Sequence, residues 1–229
     1  MVVERLHVEK PEPPAPEPEK TPDEVLDEHP ISIQVNGEWR TFPNAAAAED
    51  AAYEEYKANI RRNAQNFRIT DDHLGEGGPK AKFQANINAI QLLKELEATG
   101  QQASPEQQQV LSRYVGWGGL PDAFDPSKES WSKEYAQLKE LLTPEEYAAA
   151  RGSTLNAHYT SPTVIQAIYE AVGRMGFETG NILEPSCGVG NFFGMLPERM
   201  AGSKLYGVEL DPITGRIAEQ LYPQGQYHS

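Results

Sequence analysis

Residues 181–196 read NILEPSCGVGNFFGML, and residues 203–212 read SKLYGVELDP. The first stretch begins as a short apolar strand that ends at Glu184, passes through a glycine-containing loop and continues into a helix. The second stretch is a strand with Glu209 near its carboxyl end. This order predicts a parallel strand–helix–strand unit of a doubly wound α/β sheet, with a ligand site over the carboxyl ends of its strands.

The loop between strand and helix indicates the kind of ligand. Gly188 and Gly190 allow a ligand to approach the backbone closely. Glu209 lies 19 residues after Gly190, about the spacing at which an acidic residue accepts hydrogen bonds from both ribose hydroxyls of a nucleoside. The loop lacks the third glycine of a dinucleotide fingerprint and the Gly-Lys-Ser/Thr of a phosphate-binding loop. We therefore expect a nucleoside ligand without phosphates.

Three motifs around this unit resemble those of N6-adenine DNA methyltransferases, which use S-adenosylmethionine (SAM). Residues 183–193, LEPSCGVGNFF, are similar to motif I of that family, and residues 206–212, YGVELDP, to its motif II. Residues 158–172, HYTSPTVIQAIYEAV, resemble the motif X that precedes motif I in one subgroup. Residues 66–222 further resemble the front of very large methylase and helicase-like proteins of phages, plasmids and conjugative elements. The resemblance implies a partial doubly wound, Rossmann-like SAM-methyltransferase sheet.

The same resemblance implies a SAM site of nine residues: Tyr159, Thr160, Glu184, Pro185, Cys187, Gly188, Gly190, Glu209 and Leu210. Tyr159 and Thr160 would face the methionine part, and Glu184 would hold its amino group. Glu209 would bind the ribose, and Leu210 would lie beside the adenine. The residues alone leave other interpretations open: Glu184 as a cap of the next helix and Glu209 as a solvated strand end. Cys187 is expected to pack, since the family transfers methyl directly.

Catalysis in this family depends on a motif that follows motif II. The enzymes flip the target adenine out of the duplex and hold its amino group with Asn/Asp-Pro-Pro-aromatic, which this sequence does not contain. We expect a truncated DNA adenine methyltransferase-like protein of a mobile genetic element that has no catalytic residue and is inactive alone. Its partners would be DNA, as in the full-length family, or the missing methyltransferase half. Two parallel strands would also need cover from the helical region or another chain.

The charge of the chain favours a second hypothesis. The formal net charge is -14, whereas nucleic-acid binders concentrate lysine and arginine on one face. An acidic surface suits a non-enzymatic anti-defence protein of the anti-CRISPR or anti-restriction type, which inhibits a host nuclease by contact. A relic scaffold with neither ligand nor partner is a third possibility. The sequence leaves all three open.

Four segments are expected along the chain. Residues 1–30 contain nine acidic residues and many prolines, which predicts a disordered acidic tail. Residues 31–43 alternate around Asn36-Gly37, which predicts a β-hairpin. Residues 44–155 are predicted to be mainly helical, and residues 156–229 form the truncated SAM-binding subdomain.

Local signals predict the helices of the helical region. Asn44 is a predicted N-cap, and Ser104 and Thr143 begin predicted capping boxes. Gly100 is a predicted helix end. Apolar residues at helical spacing predict a buried face on the second helix: Phe83, Ile87, Ile90 and Leu93. Four aromatic residues are assigned to the core rather than to base stacking: Trp117, Phe124, Trp131 and Tyr135. One apolar stripe is predicted on the motif X helix: Val164, Ile165, Ile168, Tyr169 and Val172.

Several classes of protein are disfavoured. The sequence has no apolar run long enough for a membrane span and no signal-peptide pattern, so we expect a soluble, cytoplasmic protein without a membrane partner. Cys187 is the single cysteine and cannot form an internal disulfide. His158 lacks partners at metal-ligand spacing, so no metal site is expected.

Overall fold

The structure, a computed structural model, describes residues 29–71, 73, 75–155 and 159–228. The chain divides into two compact units with the boundary between Ala58 and Asn59. The predicted acidic tail lies outside the described residues apart from its last two positions, and His158 also lies outside them.

The predicted hairpin is present in the first unit. Strands β1 (Ile31–Val35) and β2 (Glu38–Phe42) pair antiparallel. Between them Asn36 and Gly37 both have positive φ, 54° and 78°. A tight two-residue hairpin turn requires this backbone conformation, so the hairpin prediction is confirmed.

The described residues form eight α-helices, most of them in the second unit. They are α1 (Ala45–Asn63), α2 (Pro79–Thr99), α3 (Pro105–Leu111), α4 (Ser132–Leu141), α5 (Pro144–Ser153), α6 (Pro162–Arg174), α7 (Asn191–Gly194) and α8 (Pro212–Leu221). None of these helices is both long and apolar enough to cross a membrane.

The helix starts lie where the sequence predicts them. The backbone N–H of Ala47 donates to Asn44 Oδ1 at 2.9 Å. The Ser104 hydroxyl accepts from the backbone N–H of Gln107, and the Ser104 N–H donates to Gln107 Oε1. Thr143 and Glu146 make the same reciprocal pair at the start of α5. These caps are local in sequence, which is why they could be predicted without the fold.

The second unit contains a three-stranded parallel sheet in the order β3-β4-β5. Its strands are β3 (Asn181–Glu184), β4 (Lys204–Val208) and β5 (Gln226–His228). The expectation of only two parallel strands is therefore wrong. β5 has three residues and only one large apolar side chain, Tyr227, so it carries no periodic pattern that a sequence reading detects.

One hydrophobic core joins the helical region to the sheet. Trp117, which has no exposed surface, lies in its centre and meets the rings of Phe83 and Phe124 edge-on, at centroid distances of 6.0 and 5.3 Å. The same cluster includes Ile217 of α8 and Leu205 of β4. The assignment of Trp117, Phe124 and Trp131 to the core is confirmed, and Tyr135 packs against it partly buried.

A buried carboxylate fixes α5 to two other helices. Glu146 receives hydrogen bonds from Lys94 of α2 and Arg216 of α8, both at 2.8 Å. The backbone N–H of Thr143 donates to the same side chain at 3.0 Å. Burial acts to raise the pKa of Glu146, but these hydrogen bonds lower it on balance. Because such a carboxylate is stable only when paired, it holds α5 in one position.

The motif X helix, α6, is only partly buried. Ile165 and Tyr169 are buried, whereas Val164 and Ile168 are 48% and 42% exposed. The Tyr169 hydroxyl donates to the Phe192 carbonyl at 2.8 Å, which attaches α6 to α7. The predicted apolar stripe is therefore buried on one side only, because no described element packs over Val164 and Ile168.

Candidate ligand-binding site

A cavity of about 510 Å³ opens where β3 and β4 end. Its volume lies within the range of small-molecule sites, about 300–1,000 Å³. Seven of the nine residues in the implied SAM site line it: Tyr159, Thr160, Glu184, Cys187, Gly188, Glu209 and Leu210. Residues from three separate motifs thus meet around one space. Pro185 and Gly190 are not among the lining residues.

Gly190 packs inside the loop and does not face the cavity. Its φ is +84°, and a Cβ at this position would lie 2.5 Å from the ring of Tyr222. Any other residue would strain the backbone and displace a buried ring. The Gly190 N–H also donates to the Cys187 carbonyl at 2.8 Å, which closes the loop. The structure therefore places Tyr222, rather than open space, against Gly190.

Glu209 directly follows β4 and holds the motif I loop. Its Oε2 accepts from the backbone N–H of Gly188 and its Oε1 from that of Asp211, both at 2.9 Å. The Cys187 N–H donates to the Val208 carbonyl at 3.0 Å, which ties the same loop to β4. An ionised carboxylate has about four acceptor positions. Two of those on Glu209 are used by Gly188 and Asp211, and no other described residue donates a hydrogen bond to this carboxylate.

Glu184, at the end of β3, differs from Glu209 in having no donor. It is half-buried and lines the cavity, yet no described residue donates a hydrogen bond to its carboxylate. Burial raises the pKa of this carboxyl. A half-buried carboxylate without a partner is costly, so a cationic ligand group at this position would relieve that cost.

Tyr159 fills the space between two glycines from distant parts of the chain. A Cβ on Gly188 would approach the Tyr159 ring to 3.0 Å, and one on Gly116 would approach it to 3.2 Å. Burial, and then the charges of Glu209 and Asp211, raise the pKa of the Tyr159 hydroxyl well above that of an ordinary tyrosine. The side chain therefore stays neutral and forms a fixed wall of the cavity.

The charge around the cavity is entirely acidic among the described residues. Three carboxylates line it, those of Glu184, Glu209 and Asp211, and none of the described lining residues is lysine or arginine. Such a space attracts cations and repels phosphates. The lining favours a positively charged ligand and disfavours nucleotides with phosphate groups.

Cys187 is buried and remains a thiol at neutral pH. Burial, followed by the charges of Glu209 and Glu184, raises its pKa to about 12. A thiolate is needed for nucleophilic or metal-binding chemistry. Cys187 therefore packs against the cavity, as the sequence reading expects.

Nine further residues line the cavity without belonging to the site that the sequence motifs imply. Five lie within or next to the motifs and could have been found by extending them: Ser186, Asn191, Phe192, Asp211 and Thr214. The other four precede motif X: Gly116, Ala149, Gly152 and Ser153. No sequence signal marks these four, because only the packing of α5 and the loop after α3 brings them to the strand ends.

The described residues contain no group of three or more histidine, cysteine, aspartate or glutamate side chains placed to hold a metal ion. The three carboxylates of the cavity do not form such a group.

Two curated proteins are similar to parts of this chain. A Defense against restriction protein B of Escherichia phage P1 is 26% identical over 150 residues, which are 66% of this chain and 5% of that protein. The Type II methyltransferase M.CvrRI of Paramecium bursaria Chlorella virus XZ-6E is 35% identical over 60 residues, which are 26% of this chain and 15% of that enzyme.

The chain therefore spans only a small part of the curated relatives it matches. It is distantly related to a phage anti-restriction protein and to a segment of a type II methyltransferase. No family model matches the chain, and no solved structure does either.

Proposed function

We propose that the second unit binds SAM in the cavity at the strand ends, as part of a DNA adenine methyltransferase-like protein of a mobile genetic element. The lining of that cavity carries the proposal: residues of motifs X, I and II surround a space with three carboxylates and no described lysine or arginine. SAM has a sulfonium and an ammonium group and no phosphate, so it suits this lining. When bound, it would supply an activated methyl group.

Each end of the ligand has a matching group in the proposal. Glu184, which no described residue neutralises, would pair with the ammonium group. The remaining acceptor positions of Glu209 would receive the ribose hydroxyls. Leu210, 91% exposed at the cavity, would offer an apolar surface to the adenine. Tyr159 and Thr160 would bound the methionine part.

The residues around the cavity support binding rather than chemistry. The Cys187 thiol and the Tyr159 hydroxyl both hold their protons at neutral pH. The sequence contains no Asn/Asp-Pro-Pro-aromatic motif to hold a flipped adenine. We therefore propose that this chain alone transfers no methyl group to DNA. The parallel order β3-β4-β5 separately supports the proposal that the sheet is part of a doubly wound, Rossmann-like domain.

Calorimetric titration with three ligands tests the proposal. We expect saturable binding of SAM, weaker binding of S-adenosylhomocysteine, which lacks the sulfonium charge, and no binding of ATP, whose phosphates the acidic lining repels. A folded protein that binds no SAM, or binds ATP as tightly, would refute the cofactor assignment. Incorporation of labelled methyl into DNA by the purified chain would refute the claim that it is inactive alone.

The relation to a phage anti-restriction protein favours a second candidate. With a net charge of -14, the chain would occupy the basic DNA-binding channel of a host nuclease and inhibit it by contact. Restriction digests with and without the purified chain test this candidate. Inhibition that is weakened by added salt and unaffected by SAM would support contact inhibition, and unchanged digestion would contradict it.

A further inference from the structure

One wall of the cavity comes from α5, which lies outside all three motifs. Ala149, Gly152 and Ser153 line the cavity, and their spacing places them on one face of the helix. Glu146, one turn earlier, fixes this helix through Lys94 and Arg216. The buried carboxylate of Glu146 therefore attaches this wall to α2 and α8.

Gly152 has no structural need to be glycine. The helix continues past it to Ser153, with Thr154 in right-handed helical geometry as the C-cap. The φ of Gly152 is not positive, and a Cβ built on it meets no atom of the described residues within 4 Å. Glycine destabilises a helix relative to alanine. Neither the backbone conformation nor the packing requires a glycine at position 152, whereas a position at the cavity gives a reason for the missing side chain.

We infer that Gly152 is a specificity-determining position, at which the absence of a side chain leaves room for the sulfonium nucleoside. The inference rests on the proposed function, and it adds α5 to the ligand site as the element that limits the size of the bound molecule. A larger side chain at this position fits the fold and excludes the ligand.

A graded series of variants, Gly152→Ala, Gly152→Leu and Gly152→Trp, tests the inference by SAM titration and thermal unfolding. The matched controls are Ala148→Leu and Ala148→Trp, because Ala148 is exposed like Gly152, lies one turn earlier in the same helix and does not line the cavity. We expect unchanged or higher melting temperatures for the Gly152 variants, and unchanged or slightly lower ones for the Ala148 controls, because alanine has the highest helix propensity. SAM affinity should fall progressively, by about tenfold or more for leucine and tryptophan at position 152, because the side chain takes volume that the ligand needs. The controls should bind like the wild type.

The outcomes separate the two proposals. Wild-type affinity in the leucine and tryptophan variants would overturn the role of Gly152 and leave the SAM site standing. Unfolding of both variants, with folded controls, would also overturn it, because the position would then have no free space. A folded wild-type chain that binds no SAM would refute the proposed function and this inference together.

Discussion

Strand β3 ends at a glutamate and β4 is directly followed by one, but the two side chains differ in their hydrogen bonds. Glu209, after β4, accepts two backbone hydrogen bonds and holds the motif I loop. Glu184, at the end of β3, receives no hydrogen bond from a described residue, and burial raises the pKa of its carboxyl. A glutamate at a strand end can therefore stabilise a loop or lack a hydrogen-bond donor among the described residues, and residue type alone does not distinguish the two. The difference predicts that substitutions at the two positions have opposite effects on stability.

The largest effect is expected for Glu209→Ala. The variant leaves the N–H groups of Gly188 and Asp211 without their acceptor, so the free energy of unfolding should fall by about 1–3 kcal/mol. SAM binding should be lost as well, because both the loop and a ligand contact are disturbed. Urea unfolding and calorimetry measure the two effects. Glu178→Ala is the control, since Glu178 is exposed and does not line the cavity. Unchanged stability of Glu209→Ala would show that the loop does not depend on this carboxylate.

A smaller and more selective effect is expected for Glu184→Gln. Glutamine keeps the size of the side chain and removes the charge that would pair with the ammonium group. SAM affinity should fall by about tenfold or more, since a hydrogen bond to a charged group contributes about 1.5–3 kcal/mol. The fold should be retained, because no described residue depends on this side chain. Calorimetry alongside Glu178→Gln measures the effect, and equal affinity in the two variants would contradict the assignment.

The two sides of the cavity also differ in how far the sequence reveals them. The strand-end side could be predicted because each of motifs I and II is one continuous stretch of sequence. An acidic residue at the end of such a strand lies at the carboxyl edge of the sheet. Helix caps such as Ser104 and Thr143 could be predicted for the same reason, since their partners lie three residues away. The structure brings seven of the nine implied residues to the cavity.

The helix side could not be predicted, because it depends on contacts between residues far apart in the chain. Gly152 lines the cavity from α5, and the hydrogen bonds of Glu146 to Lys94 and Arg216 attach this helix to α2 and α8. The exposure of Val164 has the same kind of cause, since a helical pattern shows which residues are apolar but not which element covers them. β5 could not be predicted from the sequence, because three residues are too few to show an alternating strand pattern.

The smallest expected effect is the pH dependence of stability at Glu184. Burial raises the pKa of this carboxyl in the folded chain, so ionisation is less favourable there than in the unfolded chain. Its contribution to stability is therefore fully present below the pKa of the unfolded chain and is lost as the pH rises through the folded value. At neutral pH, Glu184→Gln should be slightly more stable than the wild type, and the difference should disappear as the pH falls below about 4.

Urea unfolding of both proteins between acidic and neutral pH measures this difference directly. Other shifted carboxyls, such as those of Glu97 and Glu146, are present in both proteins and cancel. Glu178→Gln controls for the loss of one negative charge from an acidic chain. A Glu184→Gln variant that is less stable than the wild type at neutral pH would mean that the carboxylate has a stabilising partner within the chain. The contrast with Glu209 would then no longer hold, and the acidic end of β3 would be a structural contact rather than a group that awaits a cation.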